Sequence, residues 1–205
     1  MNQTVGYPRL QVLPGSYVAI KYLENGHVTL PQTGKPPGSG TVFVFGTTEP
    51  DPNEMLTEVL KWTQNCTGGN KRGRLLAAQS FDDNRCYQLN DGPISISRQK
   101  AFPNYIANSD IIHEQWCETN IRIPEDLQPN SIFTLYWVWK WPTSIGAVST
   151  LPDGKDEYYT TCSDIEVVVG SLQEGTANPL PGQDPQVNAV ANFKERIANV
   201  NLRND

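Results

Sequence analysis

Along Ser131–Trp141 the apolar residues Phe133, Leu135, Trp137, Trp139 and Trp141 recur at every second position. That is the period of a strand turning one face to a core. The row reads as core, with one open alternative at its end. Trp141 is followed directly by Pro142, which stops the strand and puts the indole at the rim, where it is a candidate sugar-stacking, substrate-binding contact. The competing reading is a tryptophan that closes the end of the core. Ile165–Val169, inside residues 157–170, predicts a second long strand.

Shorter strands are predicted at Leu10–Leu13, Ser16–Glu24, Thr41–Gly46 and Leu75–Gln79, where β-branched and aromatic residues are dense. Asn25-Gly26 signals a turn, after which His27–Leu30 resumes as strand. Met55, Val59 and Trp62 recur at helical spacing within Asn53–Trp62, and Ile106, Ile111, Ile112 and Trp116 suggest a helical turn or two in Asn104–Glu118. Residues 31–40 and Thr67–Gly73 read as loops. Leu172–Pro185 reads as a Pro/Gly-rich linker, and Val187–Val200 as a short amphipathic helix. The expected fold is all-β: an antiparallel, immunoglobulin-like or fibronectin-like β-sandwich over residues 1–170. Residues 171–205 form a C-terminal appendage, and short helices complete the picture.

Composition sharpens this only in places. The 205 residues are 38% hydrophobic, enough for a core, and sixteen Gly with sixteen Pro favour turns over long helices. A net charge of −6 without a basic stripe argues against nucleic acid and anionic membrane as partners. No apolar run is long enough to span a bilayer as a helix.

Cys66, Cys86, Cys117 and Cys162 form no CxxC pair, so a zinc ribbon is disfavoured and two disulfides are expected. Of the three possible connectivities, Cys66–Cys86 with Cys117–Cys162 is preferred. The sequons at Asn2 and Asn65 fit a glycosylated, extracellular protein. The opening Met1-Asn2-Gln3-Thr4 has no basic or apolar leader character, and the expectation is that a leader is missing from this sequence.

Chemistry is sparse. There are two histidines, His27 and His113, and no Gly-x-Ser-x-Gly elbow. The acidic pairs Asp82-Asp83 and Asp156-Glu157 read as solvated surface, and Thr67–Gly73 lacks the pattern of a phosphate loop. His27 stands out because it comes directly after a tight turn. On its own it is either a structural histidine or a ligand.

Several stretches resemble one family of secreted fungal proteins: Glu24–Pro31, Gly40–Thr47, Gly69–Gly73, Asp82–Gln88, Leu135–Pro142 and Tyr159–Ile165. That family is similar to lytic polysaccharide monooxygenases, including their chitin-binding-like sandwich. The resemblance implies a copper histidine brace, in which the amino group and imidazole of a first residue join a second histidine. Three nitrogens in that array suit Cu(II) and leave positions open. His27 matches the second brace histidine, and Tyr159 matches the axial aromatic residue, a catalytic position. His113 matches no ligand.

The segment Asn2–Arg9 resembles an internal part of longer family members, so the first brace histidine is expected to be absent here. The expected function is therefore related to oxidative cleavage of chitin or cellulose, incomplete or inactive as this chain. Copper would bind tightly only where the full-length site is completed. The alternative is a non-catalytic module that binds cell-wall polysaccharide or a partner surface.

Overall fold

The computed structural model describes residues 8–31, 38–106, 108–170 and 196. Its strands in chain order are β1 (Leu10–Val12), β2 (Tyr17–Tyr22), β3 (Thr41–Thr47), β4 (Arg74–Ser80), β5 (Cys117–Arg122), β6 (Ser131–Thr143) and β7 (Lys155–Val167). The short helices α1 (Leu56–Val59) and α2 (Pro93–Ala101) lie in connections between these strands. The strands form a five-stranded sheet in the order β1-β7-β6-β3-β4 and a two-stranded sheet of β2 with β5. The fold is an all-β sandwich. It is not purely antiparallel, because β1 runs parallel to the end of β7, Leu10 opposite Ile165. Among the described residues, no helix is long and apolar enough to cross a membrane.

The period-two row on β6 explains the main core. Phe133, Leu135, Trp139 and Trp141 face inward with Val42, Val44, Ile165 and Val167, and meet Ile121 of β5 and Ile123 just beyond it. Trp137 is half-buried against the same cluster. The intervening residues serve a second layer: Val138 and Phe45 pack against Val59 and Trp62, with Tyr136 beside them. A strand apolar on both faces is what a sheet covered on both sides requires.

Gly46 is fixed by the close approach of a neighbour, since a Cβ there would lie 2.2 Å from Cζ of Phe133. The Gly-rich loop has a structural use as well. The indole of Trp62 lies against Gly73, and its Nε1 donates to Asn70 Oδ1 at 2.8 Å.

Several expectations change. The helix at Asn53–Trp62 is only the single turn of α1. His27–Leu30 is a series of bends rather than a strand, because the Val28 and Thr29 amides turn to a side chain instead of a neighbouring ladder. Among the described residues of Asn104–Glu118 there is no helix. Isolated bridges join Tyr105 to Ile112 and Tyr87 to Gln115 before β5 begins.

Asp82 and Asp83, expected as solvated surface, are largely buried in ion pairs, with side chains 19% and 7% exposed: Arg98 holds Asp82 and Arg196 holds Asp83, each at 2.7 Å. The predicted linker Leu172–Pro185 lies outside the described residues, as does the helix Val187–Val200 apart from Arg196.

The cysteine pairing is also different. The disulfide joins Cys86 to Cys117, with Cα atoms 4.6 Å apart, while Cys66 and Cys162 are free thiols. Backbone hydrogen bonds between Tyr87 and Gln115 bring the two chain segments together beside this bridge. Cys162 sits on exposed β7 opposite Tyr136 of β6. Cys66 lies by Arg74 of β4, at the far edge of the same sheet. Strands about 4.8 Å apart put such positions beyond the reach of a disulfide.

Candidate functional site

His27 is aimed by the turn before it. Asn25 and Gly26 both adopt positive φ, 49° and 78°, so the chain reverses sharply after β2. Glu24 then organises the backbone on the far side of the turn. It is 1% exposed, and its carboxylate accepts the Val28 amide at 2.7 Å, the Thr29 amide at 3.3 Å and the Gln88 amide at 2.8 Å. The Thr29 hydroxyl also donates to it. A buried carboxylate is costly unless its oxygens are satisfied, and these donors offset that cost. The Glu24 carbonyl accepts the His27 amide at 2.9 Å. The turn is thereby held from both ends and tied through Gln88 to the disulfide-bonded region.

So positioned, the half-buried His27 imidazole meets two indoles edge-on. Its centroid is 5.0 Å from that of Trp139 and 4.7 Å from that of Trp141. Trp139 is the hub of the cluster. Phe81 stacks on it at 3.9 Å, Trp141 at 5.2 Å and Tyr159 at 4.9 Å. Its Nε1 donates to the Ser39 carbonyl at 2.8 Å, which locks the ring.

Tyr159 comes from β7, directly opposite Trp139 in the ladder, and remains 42% exposed. His27 and Tyr159, far apart in sequence, thus touch the same side chain.

Trp141 does not reach the rim. It is 7% exposed, and its Nε1 donates to the Gly38 carbonyl at 3.0 Å. The strand continues through Pro142 to Thr143, so Trp141 closes the core and presents no stacking face to a sugar. His113 is not part of this cluster of rings. Its amide bonds the Asn104 carbonyl at 2.7 Å in the connection after α2. Asn65 is exposed in its loop, and its Oδ1 accepts the Thr67 hydroxyl at 2.7 Å. Asn2 lies outside the described residues.

The donors at this corner do not by themselves fit a copper centre. Among the described residues, the one trio of His, Cys, Asp or Glu close enough to share an ion is Asp83, Cys86 and Cys117, and its two sulfurs form the disulfide. His27 belongs to no such group, and one imidazole against two indoles supplies a single nitrogen where Cu(II) favours several.

Sequence reasoning missed Glu24 and Trp139 as the pieces that build the corner. The signal for Glu24 was an acid placed just before an Asn-Gly turn, with backbone amides beyond it.

A family model described as a domain of unknown function (DUF7492) matches residues 1–192. No curated protein matches the chain. Among solved structures the chain is similar to a copper-bound, cellulose-active lytic polysaccharide monooxygenase, CelS2, with 13% sequence identity and a TM-score of 0.33. That likeness covers 80% of this chain and 55% of the other, so the chain spans little more than half the length of that structure.

Proposed function

We propose that this chain, which belongs to the DUF7492 family, is a secreted fungal β-sandwich related to the copper enzymes that oxidise chitin or cellulose. With the donors it carries, it works as a cell-wall glycan-binding module. The observation that supports this reading is the meeting of His27 and Tyr159 on Trp139. Two residues singled out by resemblance to copper monooxygenases, at remote places in the sequence, share one corner of the fold.

Tyr159 supplies the binding chemistry. A phenol ring backed by a locked indole keeps its orientation, so stacking a pyranose on its exposed area costs little side-chain entropy. The Cys86–Cys117 bridge favours an oxidising, extracellular compartment. The exposed Asn65 sequon, with Thr67 already on its amide oxygen, suits N-glycosylation. Were a brace completed, copper held there would supply oxidative chemistry. At this corner His27 is the residue that would take part in holding it.

The test is sedimentation with insoluble chitin and cellulose, alongside Cu(II) calorimetry. Wild-type protein should co-sediment with one of the two, and Tyr159→Ala should lose most of that binding while keeping its melting temperature. Copper affinity should be no tighter than micromolar and should fall in His27→Ala. Unchanged binding by Tyr159→Ala rejects the glycan-binding role. Nanomolar copper affinity would favour the oxidative reading instead.

A further inference from the structure

Asp83 and Glu118 bury their side chains almost fully, at 7% and 0% exposure, and Arg196 lies between them at 14%. Its Nη2 is 2.7 Å from Asp83 Oδ2, and its Nη1 is 3.2 Å from Glu118 Oε2. One guanidinium therefore engages two separate carboxylates through two separate nitrogens. A planar fork does this, and a single ammonium point charge does not.

The receiving side is built without the arginine. Asp83 Oδ1 accepts the Arg85 and Cys86 amides at 2.9 Å each, and Oδ2 accepts the Glu118 amide at 3.1 Å. Glu118 is next to Cys117, and Asp83 is three residues before Cys86, so the disulfide fixes the spacing of the two acids. Lys21 stands opposite Glu118 in the β2–β5 ladder, and Asn120 also faces it. Two acids and one flanking lysine leave an unbalanced negative charge in a buried place unless a cation enters.

We infer that Asp83 and Glu118 form a guanidinium receptor, filled in cis by Arg196 and able to accept the arginine side chain of another segment or an alkylguanidinium in its place. Arg196 then acts as a clasp from a remote part of the sequence onto the disulfide-bonded edge of the second sheet. Because the receptor is held by backbone amides and a covalent bridge, it persists when Arg196 is withdrawn. It then awaits a replacement of the same chemistry.

Chemical rescue in the full chain tests this. Arg196→Ala should lower the melting temperature at neutral pH. Low-millimolar N-ethylguanidinium should restore at least half of the loss, while ethylammonium at equal ionic strength restores little. Wild-type protein, whose receptor is filled, should respond to neither. Arg196→Lys should recover less than half of the stability, since it keeps the charge and loses the fork.

The double variant Glu118→Gln/Arg196→Ala removes charge from both sides and should fold without responding to N-ethylguanidinium. Should Arg196→Ala fold only when N-ethylguanidinium is present, the receptor is equally supported. A wild-type melting temperature in Arg196→Ala overturns the inference. Equal rescue by the two cations does so too, as does an unaltered response in the double variant.

Discussion

Tyr159 lies against Trp139 across the β6–β7 ladder, with ring centroids 4.9 Å apart and planes 28° from parallel. One ring is 42% exposed and the other 3%. The pair links a surface residue to the centre of the core, so what happens to Trp139 is felt at the surface. His27 leans on the same indole from another segment.

Trp139 and Trp141 should prove equally structural. Both are buried, and each donates its Nε1 to the carbonyl of a neighbouring loop. Truncation of either to Ala should cost about 3–5 kcal/mol, read by urea unfolding. A Trp141→Ala protein of near wild-type stability that has lost polysaccharide binding would return Trp141 to the surface role.

Glu24→Ala should cost on the order of 3 kcal/mol, because the Val28, Thr29 and Gln88 amides lose their acceptor inside the protein. Glu24→Gln, which keeps one acceptor oxygen, should cost less. In both variants the ring-proton NMR signals of His27 should move, since the turn that sets the ring against Trp139 and Trp141 is loosened. Unmoved His27 signals would detach Glu24 from the site.

Alkylation of native protein should label Cys66 and Cys162 and spare Cys86 and Cys117. Cys162, the more exposed of the two, should react first. Peptide mapping without reduction checks the bridge. Replacing Cys86 and Cys117 by Ser should cost about 2–4 kcal/mol.

Burial pushes the Glu118 carboxyl above its ordinary value of 4.5, against the opposing pull of Arg196, while Asp83 adds to the rise and Lys21 offsets it. A carboxyl raised in the folded state holds its proton longer there than in the unfolded chain. Its contribution to stability is therefore most favourable below the ordinary value and declines as pH climbs through the raised one. Relative to Glu118→Gln, wild-type stability should fall as pH rises through that window, and Arg196→Ala should fall more steeply. Urea midpoints from about pH 4 to about pH 8 measure it. A flat difference between wild type and Glu118→Gln would show that Glu118 titrates normally.

The sequence alone determined the parts whose pattern is also their reason. The alternation on β6 set its inward face, because a strand's period is a property of the backbone and each indole on that face gains by leaving water. The same logic located β2, β3, β4 and β7, and the Asn25-Gly26 turn ahead of His27. Resemblance selected His27 and Tyr159, and each of them lies against the same indole, Trp139.

Tertiary structure decided the rest. Strand β5 reads Cys117-Glu118-Thr119-Asn120, polar in sequence yet buried, because Tyr22 bonds Thr119 and Arg196 neutralises Glu118. Helix α2 buries little beyond Ser95 and so carries no apolar stripe to announce it. The cysteine pairing and the fate of Trp141 depended on which segments come together across long separations. Local pattern records what a residue prefers, and a buried charge, a disulfide or a capped indole depends on a partner that only the folded chain supplies.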